Sequence, residues 1–442
     1  MVPVPGGNVT ISGHGKKTAT DKGMAQDQTT DTAGAGGAGL TGLARFGRAF
    51  RHPAYRYFFA GQLVSLTGTW VQTVAQSWLV YRLTGSPLML GTVVFVNQLP
   101  MLVLAPLSGA LADRLPKRRL IVATQAMQMM LAAGLAGLTL GGAVSVPLVL
   151  AVAGLSGLVQ ALDVPARQAF VVEMVGKDDL PNAIALNSSL FNGARLIGPS
   201  VGGLLVAAVG EGWCFALNAG SFAAVILSLA LMPLPARPPV ARQARGLAAI
   251  REGFAYAWGE RRVRRLLALV GWTSLLGMPY TTLLPVYAGL KHGGGPATLG
   301  TLMAAAGAGA FAAALVLAGL ARAPRFRTVG LAATGFGAAL ALFAVTDVYP
   351  LALAALALAG FSMMVEVGSA NIILQSLVPD ALRGRVMALY AMMFLGMAPF
   401  GGLLVGFAAE RFGIVAATVG GGLLCVCAGV IVLTGGRRRG VL

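Results

Sequence analysis

Twelve long apolar runs divide this chain, and the links between them concentrate their cations on alternate sides. A helix needs about 20 consecutive apolar residues to cross the hydrocarbon core of a bilayer. Lipid offers the backbone no partners, so such a segment must satisfy its own hydrogen bonds. Runs of this kind, spans 1 to 12, lie at about 58–81, 87–111, 120–140, 147–166, 184–208, 214–232, 266–288, 298–320, 328–346, 350–372, 387–408 and 414–434. Gly and Pro recur inside them, which bundled membrane helices tolerate because small residues let backbones approach. A soluble fold has no interior for so much apolar sequence: 56% of residues are apolar and the 61 Gly bring the sum to about 70%, against roughly 45–50% in a soluble domain.

The cations fix an expected orientation. Of 33 Lys and Arg, 29 fall in the N-terminal flank, the even-numbered links and the C-terminus; Arg82, Lys291 and Arg411 lie on the other side and Arg195 inside a span. By the positive-inside rule both termini are cytoplasmic, in a multi-pass protein of the plasma (inner) membrane. The net charge of +18 would alone suggest nucleic acid. Distributed this way it records topology and contact with anionic inner-leaflet lipids, and no nucleic-acid partner is expected.

The expected organisation is a disordered cytoplasmic tail at 1–42, an N-terminal six-helix half at 43–232, and a cytoplasmic linker at 233–265. A C-terminal six-helix half at 266–434 and a basic tail at 435–442 follow. The linker opens Pro-rich and continues with Leu247, Ile250, Phe254 and Trp258 at helical spacing, flanked by Arg251, Arg261 and Arg262. That pattern suits a helix lying on an anionic membrane surface. Cys214, Cys425 and Cys427 read as small buried hydrophobes without metal-ligand spacing. No Walker A pattern occurs, and neither cofactor nor metal is expected.

The halves repeat at an offset of about 200 residues. Gly198-Pro199-Ser-Val-Gly202-Gly203-Leu-Leu in span 5 recurs, one residue shorter, as Ala398-Pro399-Phe-Gly401-Gly402-Leu-Leu in span 11. The link after span 2 recurs in degraded form after span 8. Asp163 and Glu366 each lie sixteen residues beyond the Pro (Pro147, Pro350) that opens spans 4 and 10. Parallel repeats of this kind place a transported molecule at midplane between the halves, exposed to each side in turn.

Gly109-Ala-Leu-Ala-Asp113-Arg114-Leu-Pro-Lys117-Arg118-Arg119 resembles the signature of the major facilitator superfamily. The resemblance implies an all-α integral membrane fold of two pseudo-symmetric six-helix halves. It also implies a conformational latch formed by Gly109, Asp113, Arg114, Lys117 and Arg118, with Arg167 on the next cytoplasmic link. Gly198, Pro199, Gly202 and Gly203 resemble the packing motif of family members that act as antiporters and exporters; Ala194 stands where that motif has a further Gly. Leu83–Gly91, Asp163–Ala169 and Arg383-Gly-Arg385-Val386 are similar to the enterobactin-exporter-like and macrolide-efflux-like branch.

Charges inside the spans carry the chemistry, since an Asp or Arg at mid-bilayer costs about 2.5–3.5 kcal/mol on insertion scales. Asp163, one turn before Arg167, reads as part of a cytoplasmic salt-bridge relay with the basic span 2–3 link. Glu366, set among Met363, Met364 and Val365, has no cation in its own helix. Burial disfavours its charged form, which makes it the candidate proton carrier, with pairing to Arg as the alternative. Arg195, near midplane, is placed to hold Glu366 ionised, to receive an anionic substrate or to brace helices. Gln72 and Gln76 on span 1, Asn97 on span 2 and Asn371 on span 10 are candidate cavity groups, interhelical bonding being their commoner role. The expected function is secondary active transport: proton-driven export of a small siderophore- or drug-like amphipathic molecule by a monomer that alternates access. An importer, a non-transporting sensor and a membrane enzyme are the alternatives, and the three His (14, 52, 292) form no cluster with a nucleophile.

Overall fold

The computed structural model describes residues 47–176, 178–233, 247–319 and 324–437, with side chains except at 105–107, 109–114, 192, 247–251 and 435–437. The predicted tail at 1–42, the Pro-rich start of the linker, Lys177, Arg322 and the end of the C-terminal tail lie outside the described residues. So do the side chains of Gly109, Asp113 and Arg114 in the predicted latch.

Among the described residues ten helical stretches are long and apolar enough to cross a membrane. One, Leu180–Leu231, is spans 5 and 6 joined at Gly210, whose φ of 83° breaks the helical path. Span 1, Pro53–Thr84, adds the twelfth; its 32 residues include Gln62, Gln72 and Gln76, which dilute its apolar character. Spans 2, 3 and 4 are Pro87–Arg114, Lys117–Leu140 and Val146–Val175. Spans 8, 9, 10 and 12 are Pro296–Gly319, Phe326–Val345, Tyr349–Leu377 and Ile414–Arg437.

Two spans are interrupted. Span 7 runs Arg261–Leu276, breaks at Gly277 to Pro279, and resumes as Tyr280–Val286 with a π-helical turn Tyr287–Lys291. Span 11 runs Asp380–Gly396 and resumes as Ala398–Phe412, with Pro399 near the start of the second piece. A Pro has no N–H to continue the ladder, so both restarts fall where the sequence supplies one. Span 7 begins at Arg261 rather than near 266, because Glu260 caps the helix by accepting from the Arg262 amide at 3.2 Å. The linker's final cations therefore form the first turns of a span. The linker helix itself is Leu247–Gly259. It packs Tyr256 and Ala257 onto the C-terminal half while Phe254 and Trp258 stay exposed.

Packing follows the repeat. Span 1 lies on the paired spans 5 and 6, and span 2 on span 4; span 8 lies on span 10, and span 9 on spans 10 and 12. Between halves the contacts run from span 2 to span 11 and from span 5 to span 8. Twelve crossings put residues 47 and 437 at one end of the bundle, the terminal end. At the far end a single buried cluster joins both halves through Leu79, Leu90, Val149, Tyr287, Leu299, Phe343 and Val405. Toward the terminal end each half has its own core, one around Tyr55, Phe170 and Leu229, the other around Leu266, Leu374 and Val386. The halves are thus joined at the far end and separately cored at the terminal end. Cys214 and Cys425 are buried as expected, but Cys427 is exposed on the outer surface of span 12, because its neighbour Cys425 takes the inward face.

Candidate functional site

Asp163 sits in the N-terminal half at 4% exposure. Its carboxylate pairs with Arg167 one turn on and accepts from Thr124 Oγ1 at 2.6 Å and Gln125 Nε2 at 3.1 Å, both on span 3. Arg167 also donates to Gln62 Oε1 of span 1 at 2.5 Å. The network ties three helices together and neutralises both charges. The expected relay from Asp163 to the basic span 2–3 link takes a different form. That link's Lys117 pairs with Glu173 at 2.9 Å, and Arg118 donates to the Ala230 carbonyl at 2.9 Å. Glu173 lies nearly three turns beyond Asp163 on span 4, at the level of the link; Asp163 is too deep for it.

Glu366 occupies the equivalent place on span 10, with no exposed surface. Its Oε1 accepts from Thr273 Oγ1 of span 7 at 2.7 Å; among the described residues Oε2 finds no donor, and the buried hydroxyl of Ser369 one turn away finds no partner. The repeat explains the contrast: one turn beyond Asp163 stands Arg167, and one turn beyond Glu366 stands Ala370. Thr273 lies one turn before the break in span 7.

Arg195 is half-buried on span 5 and makes no ion pair or hydrogen bond among the described residues. It does not pair with Glu366. Its own backbone packs against Gly307 of span 8. The candidate cavity amides are mostly engaged within one half. Gln72 accepts from Asn218 of span 6 at 2.6 Å, Asn97 donates to the Ala153 carbonyl of span 4 at 3.0 Å, and Asn371 accepts from Gln375 of its own helix at 2.5 Å. Gln76 is half-buried and unpartnered among the described residues.

The Gly-Pro motif forms the seam between helices. A Cβ on Gly198 would meet Trp70, and one on Gly202 would meet Val71 and Val74, all on span 1; one on Gly203 would meet Gly300 of span 8. In the second repeat Gly401 lies against Leu275 of span 7, and Gly402 meets Gly91 of span 2. Each glycine pair thus presses one face on its own half and the other on the opposite half.

Two features escaped sequence reading. Glu410 of span 11 accepts from Ser86 Oγ at 2.8 Å and the Leu88 amide at 3.3 Å, so a carboxylate of one half caps the first turn of span 2 in the other. The only local signal was Ser86 before Pro87, an ordinary helix start. The second is a tie at the terminal end, where Asp179 meets Arg48 at 3.2 Å and His52 at 2.9 Å.

The model of the transmembrane secretion effector family matches residues 46–437. The chain is 29% identical over 402 residues to the multidrug efflux pump Tap of Mycolicibacterium fortuitum, covering 88% of this chain and 97% of that protein. It is 28% identical to the staphyloferrin A transporter of Staphylococcus aureus, covering 81% and 90%. It is also 28% identical to the enterobactin exporter of Citrobacter koseri, covering 88% and 93%. Among solved structures, a bacterial homologue of the lysosomal transporter Spinster in its inward-facing, occupied conformation superposes with a TM-score of 0.68 at 14% identity, covering 87% and 96%. The nucleoside transporter NupG gives 0.66 at 13% identity, covering 86% and 98%. At these identities the structures speak for the fold alone.

Proposed function

Because the chain belongs to the transmembrane secretion effector family of major facilitator transporters, we propose that it exports a small amphipathic molecule in exchange for protons, with Glu366 as the proton-carrying group. The observation that carries this reading is a fully buried carboxylate with, among the described residues, one free oxygen and no ion-pair partner. Ionised, such a group is an uncompensated charge in a low-dielectric interior; protonated, it is neutral and cheap to bury. Its one hydrogen bond comes from Thr273, on the arm of span 7 just before the break at Gly277 to Pro279. Movement of that arm changes the environment of the carboxylate, so proton loading and helix position are linked. A proton crossing 100 mV of potential supplies about 2.3 kcal/mol to drive the cycle.

The rest of the assignment follows the same logic. The cation distribution supports cytoplasmic termini in the inner membrane, with the basic links and linker against anionic lipid. Lys117, Arg118 and Arg167, with Gly109, Asp113 and Arg114, form the latch at the terminal end; Gly198, Pro199, Gly202 and Gly203 form the exporter-type seam. Gln72, Gln76, Asn97 and Asn371 border the path, Asp163 braces it, and the protein works as a monomer of two six-helix halves.

The test is efflux from cells lacking their own exporters, across siderophores, macrolides and dyes. Expression lowers accumulation of at least one compound, and both a protonophore and Glu366→Gln abolish the effect at unchanged protein level. Export that persists unchanged in Glu366→Gln removes the proton role of that residue.

A further inference from the structure

Among the described residues, the deeply placed charges of the spans are paired or can be neutralised by a proton, with one exception. Asp163 is neutralised by Arg167, and Glu366 is enclosed within the C-terminal half. At the far end Arg82 pairs with Glu211 at 2.8 Å and Lys291 with Asp347 at 3.5 Å. Arg195 has neither ion pair nor hydrogen bond among the described residues. It lies fifteen residues beyond Leu180, about 22 Å along span 5. Its backbone touches Gly307 of span 8, so it belongs to the seam between the halves.

A guanidinium cannot shed its proton to escape this position, unlike a buried Lys. It is also the side chain whose planar fork of donors fits a carboxylate by two parallel hydrogen bonds. A path whose one permanent unpaired charge is positive repels organic cations and leaves an unfilled place for an anion. We propose that the transported molecule is a carboxylate-bearing organic anion, and that Arg195 is its charge partner at the seam between spans 5 and 8. This rests on the exporter reading above and narrows it to a substrate class.

Two probes of opposite charge separate the two claims. Carboxyfluorescein, released inside cells from its diacetate ester, is the carboxylate probe, and ethidium is the cation. Efflux of each is followed in exporter-deficient cells carrying the wild type, Arg195→Gln or Arg195→Lys, with folded protein measured by fluorescence-detected size exclusion. The expected result is carboxyfluorescein efflux by the wild type, a loss of at least about tenfold in Arg195→Gln, and partial recovery in Arg195→Lys. Ethidium should be retained by all three. Export of ethidium but not carboxyfluorescein overturns the anion proposal and leaves the exporter reading standing. Equal carboxyfluorescein efflux by Arg195→Gln also overturns it. Failure of both variants to fold assigns Arg195 to helix bracing and overturns it as well. Transport of neither probe, nor of any compound in the broader panel, removes the exporter reading and this proposal together.

Discussion

The pair Asp163–Arg167 and the pair Glu366–Ala370 occupy matching positions of the two repeats, and one side chain separates a neutral brace from a candidate proton site. Asp163 has a cation, two span 3 donors and, through Arg167, a link to span 1. Removing the cation strands a buried carboxylate. Arg167→Ala should lower stability by about 3 kcal/mol, the low end for a broken buried pair because Thr124 and Gln125 still donate. The double variant Asp163→Asn, Arg167→Ala should regain most of the loss. Thermal unfolding in lipid nanodiscs measures both, and equal stability of single and double variants would sink the idea. The spacing of Asp163 and Arg167 was readable in the sequence, as was the lack of a cation on the helix of Glu366; whether another helix supplied one was not. The engagement of Gln72, Asn97 and Asn371 was not, since their partners lie on other helices or depend on rotamers that periodicity does not encode.

At the level of helices, two devices hold the bundle. The Gly-Gly pairs let span 5 touch span 8 and span 11 touch span 2 with almost no side chain between. The second device is the clip at the terminal end, where the turn Arg48–Arg51 is tied to the start of span 5. Asp179 stands at that helix start, and its carboxylate turns to His52 and Arg48, while Asn182 accepts from the Ala49 amide at 2.8 Å. The His52 contact, aided by the charge of Arg48, holds the Asp179 carboxyl below its ordinary value of 3.8. A depressed folded pKa contributes stability above the unfolded value, and that stability is lost as pH falls through the folded one. The stability difference between wild type and Asp179→Asn should therefore be flat from pH 7 to about 5 on this carboxyl's account and shrink below about pH 4. Unfolding midpoints of the two proteins across that range give the answer; a difference that grows on acidification contradicts it.

Across the whole molecule, the far end is held by one core shared between halves and by Glu410 on the first turn of span 2. A carboxylate at a helix N-terminus meets free amides and the positive end of the helix dipole. Glu410 is exposed, so its worth is modest, about 0.5–1 kcal/mol after solvent screening. For a transporter poised between two states that is a shift of roughly two- to fivefold in population. Glu410→Gln should raise the fraction open at the far end by about that factor. Nitroxide labels at the exposed Ala143 and Val348, one on each half, report it as a longer-distance population in electron double resonance. An unchanged distance distribution means that the shared core alone closes this end.

What the sequence determined by itself was everything that depends on counting along one helix. Apolar length defined twelve crossings, cation spacing set the expected topology, and the repeat marked Asp163 and Glu366 as counterparts. These follow because a bilayer forces each segment to satisfy its own backbone and makes every unpaired charge conspicuous. Only the tertiary structure decided which of those charges has a partner. Glu366 bonds to Thr273 of span 7, 93 residues away, and Arg195 has no partner at the seam among the described residues. It also decided that the Gly-Pro motif joins the two halves and that Glu410 of one half caps a helix of the other. Such facts depend on distances between helices far apart in the chain, and those are set by how two six-helix units pack rather than by any local pattern.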